Sequence, residues 1–154
     1  MTSRLQLALN VSNLAEAVEF YSKMFSTQPA KLRQGYANFA IADPPLKLVL
    51  IETPKTDGVD YTRINHLGVE VMSTAEVDQA ISHFQELGWV DSVEKDSTCC
   101  YAVQDKVWVH DPDGAPWEFY TVLADADSMS GATASVVAPT TNACCAPAAS
   151  NACC

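Results

Sequence analysis

The chain carries one structural phrase twice. Leu5-Gln6-Leu7-Ala8-Leu9-Asn10-Val11 and Asn65-His66-Leu67-Gly68-Val69-Glu70-Val71 both alternate with the two-residue period of a half-buried strand, and they align Gln6 with His66 and Val11 with Val71. Each strand leads into a stretch with helical spacing of apolar residues. The first, about 14–25, puts Leu14, Val18, Tyr21 and Phe25 on one face behind Asn13 as N-cap. The second, about 74–87, does the same with Val77, Ile81, Phe84 and Leu87, and Gly88 stops it. Three strand-like runs follow each helix: 30–32, 36–41 and 47–52 in the first half; 92–95, 101–103 with 106–110, and 117–123 in the second. The turn-containing phrases 42–49 and 112–120 also align once one residue of slack is allowed, which sets Lys47 opposite Glu118. The expected fold is therefore α+β, with two tandem βαβββ modules over about 4–53 and 63–124, joined by Pro54–Thr62. One such unit cannot cover its own sheet, but two side by side close round a shared concave cavity.

This domain is expected to occupy residues 1–125 of the 154. From Ala126 to Cys154 the text is rich in Ala, Ser, Thr and Pro and has no aromatic residue, the composition of a flexible tail. A net charge of −10 opposes binding to nucleic acid or to an anionic membrane surface. No apolar run approaches the ~20 residues of a membrane span, and the polar N-terminus does not resemble a signal peptide. The expectation is a cytoplasmic protein, monomeric or homodimeric. The six cysteines fall as adjacent pairs, Cys99-Cys100, Cys144-Cys145 and Cys153-Cys154. Neighbouring Cα atoms lie about 3.8 Å apart, closer than the roughly 4.4–6.8 Å of ordinary disulfides, so the pairs read as soft two-sulfur ligands rather than staples.

Several phrases resemble the glyoxalase/extradiol-dioxygenase superfamily, the vicinal-oxygen-chelate fold: 10–21 with Phe20-Tyr21, Asn65-His66-Leu67-Gly68-Val69, and His110-Asp111-Pro112-Asp113-Gly114-Ala115-Pro116-Trp117-Glu118-Phe119-Tyr120. The runs GYANFAIADPPLKLVL (35–50) and TCCYAVQDKVWV (98–109) resemble more closely the organoarsenical carbon–arsenic lyases and the related cadmium-induced proteins. The likeness covers roughly 4–125; the tail shares only the habit of carrying cysteine pairs.

The duplication alone points to a metal site. Gln6 and His66 hold the same point on the first strand of each module, Glu118 lies on the last strand of the second, and alternation aims all three into the cavity. His and Glu suit iron(II), with a Gln carbonyl as a weaker neutral donor, and three ligands on one face leave positions open for substrate and dioxygen. Lys47, at the fourth symmetric position, is a cation and cannot contribute. Glu52, Glu70 and His110 are rivals, but Glu70 sits four residues past His66, about 13 Å along a strand.

Cys99 and Cys100 follow the polar run Asp96-Ser97-Thr98, and both thiols can grip one atom only where the backbone bends. Trivalent arsenic is thiophilic, and the second thiol capture is intramolecular. Lys106 either raises the thiolate share as a catalytic group or is a solvated surface lysine. Phe39, Tyr101, Trp108 and Tyr120 are expected to wall the cavity.

The resemblance implies an iron(II)- and dioxygen-dependent enzyme that cleaves the carbon–arsenic bond of a trivalent organoarsenical, for arsenic detoxification. Two alternatives stand beside it. One is a stress-induced protein that sequesters cadmium or arsenite without turnover. The other is a superfamily isomerase or glyoxalase, which has no need of a thiol pair.

Overall fold

A computed structural model describes residues 2–55 and 63–129. Cys144, Cys145, Cys153 and Cys154, and most of the Pro54–Thr62 joint, lie outside the described residues. The first module comprises β1 (Arg4–Val11), α1 (Leu14–Met24), β2 (Lys31–Arg33), β3 (Tyr36–Ile41) and β4 (Leu46–Glu52). The second repeats the order with β5 (Ile64–Glu70), α2 (Thr74–Leu87), β6 (Ser92–Cys99), β7 (Ala102–His110) and β8 (Pro116–Asp125). Both helices start where a side chain satisfies a free backbone N–H. Asn13 Oδ1 accepts from Glu16 N at 3.2 Å, and Ser73 Oγ accepts from Glu76 N at 3.3 Å. Gly88 ends α2 in the left-handed conformation, φ 72°.

The strands form one eight-stranded sheet in the order β2-β3-β4-β1-β5-β8-β7-β6. β1 pairs with β4, and β5 with β8, in parallel; the two modules meet through the antiparallel β1·β5 pair. The outer face is covered by the helices. Val11, Leu14, Ala37, Phe39, Ile41, Leu48 and Leu50 form the core beneath α1, and Phe84 of α2 packs edge-on against Phe119. Phe39 therefore belongs to the helix side and does not wall the cavity. Alternation sends Gln6, Ala8, Val49, His66 and Glu118 to the inner face.

The register corrects one alignment. Gln6 pairs with Lys47 across β1·β4, whereas Glu118 pairs with Gly68, not His66, across β5·β8. With Gln6 equivalent to His66, Ala8 is equivalent to Gly68, and Ala8 pairs with Val49. Val49 is the true counterpart of Glu118, and Lys47 lies two residues away along the strand.

The strands of the cysteine hairpin run longer than the expected 92–95 and 101–103 with 106–110, and Asp96-Ser97-Thr98 lies inside the first of them. β6 runs on through that segment with an irregularity between Glu94 and Ser97, where Asp96 takes φ 49°. The chain turns at Cys100 and Tyr101, both left-handed at φ 55° and 60°, between the paired residues Cys99 and Ala102. This two-residue turn usually takes Asn-Gly, so nothing in its side chains announces it. β7 is correspondingly continuous. The chain after β8 does not leave the sheet at once: Ala126 N donates to Tyr101 O at 2.9 Å and Cys100 N to Met129 O at 2.7 Å. No helix among the described residues is long and apolar enough to cross a membrane.

Candidate functional site

Gln6, His66 and Glu118 converge on the inner face, each at most 4% exposed. Gln6 Nε2 lies 3.1 Å from His66 Nε2 and 2.5 Å from Glu118 Oε1, and His66 Nε2 is 3.2 Å from Glu118 Oε1. Two donors about 2.1 Å from one octahedral ion, at right angles, lie about 3 Å apart, so this spacing fits three adjacent positions on one ion once the Gln6 amide presents its oxygen where Nε2 stands. Among the described residues no three His, Cys, Asp or Glu side chains cluster to hold a metal, because the third donor here is an amide.

The sheet explains the convergence. Gln6, Gly68 and Glu118 lie abreast on β1, β5 and β8. The missing side chain in the middle leaves room for its neighbours: a Cβ on Gly68 would stand 3.3 Å from Gln6 Nε2. His66 Nδ1 donates to Asn65 Oδ1 at 2.7 Å, which turns the Nε2 lone pair toward the trio. Asn65 is anchored in turn by Asn10, whose Oδ1 accepts from Asn65 Nδ2 and from Thr53 Oγ1, both at 3.1 Å.

Lys106 is not a surface lysine. It is 1% exposed, and its Nζ donates to Glu118 Oε2 at 2.9 Å, which leaves Oε1 for the trio. Burial works against its charge, but the Glu118 carboxylate, Cys99, Cys100 and Glu94 outweigh burial and raise its pKa above the ordinary value. Burial likewise pushes the Glu118 carboxyl up, and Lys106 and His66 reverse this, holding it well below the usual carboxylate range. Trp108 stands edge-on to His66, 5.3 Å between ring centres, and donates Nε1–H to Glu94 Oε1 at 3.1 Å.

The rival ligands are engaged elsewhere. Glu70 binds Arg4 through both carboxylate oxygens and pairs with Lys47 Nζ at 3.2 Å. Burial raises its pKa, but Lys47, Arg4 and Tyr120 together lower it. Glu52 Oε1 accepts from Leu14 N at the start of α1, and His110 Nδ1 pairs with Asp91 on the surface.

Cys99 is fully buried and Cys100 partly so, with their sulfurs 3.1 Å apart. A disulfide would hold them at about 2.05 Å, so these are free thiols, close enough for one thiophilic atom to bridge. Cys99 packs with Ala8, Tyr36, Val49 and Ile51 on the inner face, covered by Cys100, Tyr101 and Met129. Ala8, against which Cys99 packs, lies opposite His66 across β1·β5, so donor trio and thiol pair are neighbours on the inner face. Of the expected aromatic walls, Tyr101, Trp108 and Tyr120 face this region. Tyr36, which the sequence did not single out, joins them, stacked obliquely on Tyr101. Glu94 and Gln104 were missed too. Both belong to the inner face of β6 and β7 by register, and Gln104 Oε1 is a buried acceptor without a hydrogen-bond partner. Two surface grooves, one lined by Asp78, Gln79, Ser82, His83 and Glu86 of α2 and one along α1, take no part in the site.

Residues 4–119 match the model of the Glyoxalase/Bleomycin resistance protein/Dioxygenase superfamily. The chain belongs to that superfamily. Within it, the chain falls in the group of the trivalent organoarsenical cleaving enzymes and cadmium-induced proteins. It is 54% identical over 145 residues to the trivalent organoarsenical cleaving enzyme of Thermomonospora curvata, covering 94% of this chain and 89% of that one. It is 56% identical over 127 residues to the cadmium-induced protein CadI of Mycobacterium tuberculosis, covering 82% and 81%. Homoprotocatechuate 2,3-dioxygenase of Arthrobacter globiformis shares the fold, with a TM-score of 0.57 at 23% identity over 84% of this chain and 38% of that one.

Proposed function

We propose that this superfamily member is a cytoplasmic iron(II)-dependent enzyme that uses dioxygen to break the carbon–arsenic bond of trivalent organoarsenicals, with methyl- and arylarsenites as the substrate class. The observation that carries the reading is the pairing, on one inner face, of the Gln6–His66–Glu118 trio with two sulfurs 3.1 Å apart. The group of relatives that includes the Thermomonospora curvata enzyme supports it.

Cys99 and Cys100 bind the arsenical. Two S–H bonds and two As–OH bonds break, two As–S bonds form, and two waters leave, so only the carbon substituent of a monoalkyl arsenical remains free. The bent backbone at Cys100 aims both sulfurs at one atom and supplies proximity. Gln6, His66 and Glu118 are the groups that would hold iron(II), Gln6 through its carbonyl oxygen. When bound, iron(II) supplies the one-electron chemistry through which dioxygen reacts with a closed-shell substrate. Lys106 neutralises Glu118 and fixes which carboxylate oxygen faces the trio. Tyr36, Tyr101, Trp108 and Tyr120 exclude water. For a methyl substrate the atoms balance as CH3As(OH)2 + O2 giving As(OH)3 + HCHO.

A cadmium or arsenite buffer would use the sulfurs alone and has no need of a buried His–Gln–Glu convergence. The test is turnover: reduced protein with methylarsenite, with and without ferrous iron and air. Formaldehyde and arsenite appearing together, only with both iron and air, are the expected outcome. Stoichiometric arsenic binding without either product rejects catalysis. Activity that survives Cys99→Ser with Cys100→Ser rejects the thiol clamp.

A further inference from the structure

Tyr120 OH lies 2.5 Å from Gln6 Oε1 and 2.9 Å from Glu70 Oε2. Both are acceptors as placed, and a hydroxyl has one proton to give. Glu70 is the stronger acceptor, an ionised carboxylate held by Arg4 and Lys47. At the other end of the Gln6 amide, Nε2 donates to Glu118 Oε1, and it is the nitrogen, not the oxygen, that faces His66 and Glu118. An amide nitrogen has no lone pair to offer a cation. Turning this amide over resolves both conflicts. The oxygen then faces His66 and Glu118, the NH2 donates to the Tyr120 oxygen, and the Tyr120 proton goes to Glu70.

We infer that Glu70 and Tyr120 are positioning residues that select, through a directed hydrogen-bond relay, the orientation of Gln6 that presents its carbonyl oxygen to a divalent cation. The relay runs from the Gln6 NH2 to the Tyr120 hydroxyl and from that hydroxyl to the Glu70 carboxylate. It rests on the trio being the metal site proposed above. It also gives a purpose to the half-buried Arg4–Glu70–Lys47 cluster beside the trio. A neutral residue at 70 would not compel the hydroxyl to point away from Gln6, and a phenylalanine at 120 would leave the amide NH2 with no acceptor in its turned state.

The test measures affinity for manganese(II) by electron paramagnetic resonance of the free ion, a hard cation that the thiols bind poorly. Full-length reduced protein is used. Tyr120→Phe and Glu70→Gln are expected to weaken binding by roughly 10–100-fold, the usual scale for groups that orient a ligand. Capture of methylarsenite by the metal-free protein, read from Trp fluorescence, is expected to be unchanged in Glu70→Gln. The deciding measurement is a double-mutant cycle with Gln6→Glu, whose carboxylate offers oxygen in either orientation: in that background both losses are expected to shrink. Wild-type affinity in either single variant, or equal losses in both backgrounds, overturns the relay and leaves the function proposal standing. A wild-type protein that binds no divalent cation at the trio overturns both.

Discussion

A Cβ on Gly68 would stand 3.0 Å from Cγ of Glu118 and 3.2 Å from its carbonyl oxygen. Glu118 can therefore lie across the sheet toward Gln6 only because its β5 neighbour has no side chain. The backbone half of this contact prevents relief by rotating Glu118 alone. Gly68→Ala is expected to destabilise the fold by about 1–3 kcal/mol, as overpacking does, and to weaken divalent-metal binding more than it weakens the fold. Chemical denaturation and a manganese titration check the two effects separately. Metal affinity equal to wild type would show that the gap is not needed.

Lys106 and Glu118 form an ion pair with almost no solvent contact, 1% and 4% exposed. Lys106→Met would leave a buried carboxylate with its partner gone, a change that typically costs about 3–5 kcal/mol. The metal-free variant is expected to melt markedly earlier, and a divalent cation is expected to stabilise it more than it stabilises wild type, since the cation then supplies the missing charge. Adding Glu118→Gln is expected to recover part of the metal-free loss, a coupling that a thermal-melt cycle measures. Additive losses would mean that the two side chains act independently.

Asp105 lies on the helix side of β7, away from the trio. It accepts from Asp96 N at 2.9 Å and Thr74 Oγ1 at 2.8 Å, and so ties the irregular bend of β6 to the start of α2. Burial raises its pKa, but these bonds and Lys95 outweigh burial and lower it. A depressed carboxyl contributes stability that is complete above its unfolded pKa, about 3.9, and is lost as pH falls through the folded value. Asp105→Asn is expected to cost about 1.5–3 kcal/mol at neutral pH, and the gap to wild type is expected to narrow below about pH 4. Urea unfolding across that range reads the slope; a gap constant with pH would contradict it.

The repeat made the fold legible because hydrophobic period and turn chemistry agree in both halves. Gln6 and His66 were legible for the same reason, as equivalent points on equivalent strands. The Lys47–Glu118 match failed because strand register depends on pairing, and the one-residue slack allowed in the turns concealed a two-residue offset along the strands. Gly68 reads as an ordinary strand glycine until Gln6 and Glu118 are seen on either side of it. Tyr120 reads as a cavity wall, since nothing in the text shows that its hydroxyl meets Gln6 and Glu70. Lys106 was ambiguous because a lysine between Asp105 and Val107 looks alike whether it is solvated or buried against a carboxylate 12 residues away.

The bend at the cysteine pair separates function from stability in one residue. Cys100 holds φ 55° in a turn whose first position favours Asn, Asp or Gly, and left-handed backbone costs an ordinary side chain about 1–2 kcal/mol. Its N–H bond to Met129 O is backbone and survives any replacement but proline. Cys100→Gly should therefore fold at least as stably as wild type, gaining up to about 1 kcal/mol once the greater freedom of glycine in the unfolded chain is set against the relieved strain. The same change removes one of the two sulfurs, and the remaining thiol of Cys99 captures a monoalkyl arsenical without the intramolecular second bond. Thermal melting should rise or stay level while methylarsenite affinity at this pair falls by orders of magnitude. So that the thiols of Cys144, Cys145, Cys153 and Cys154 cannot contribute, the titration is run with those four changed to serine. Unaltered affinity in that background would show that the adjacent sulfurs do not act as one ligand.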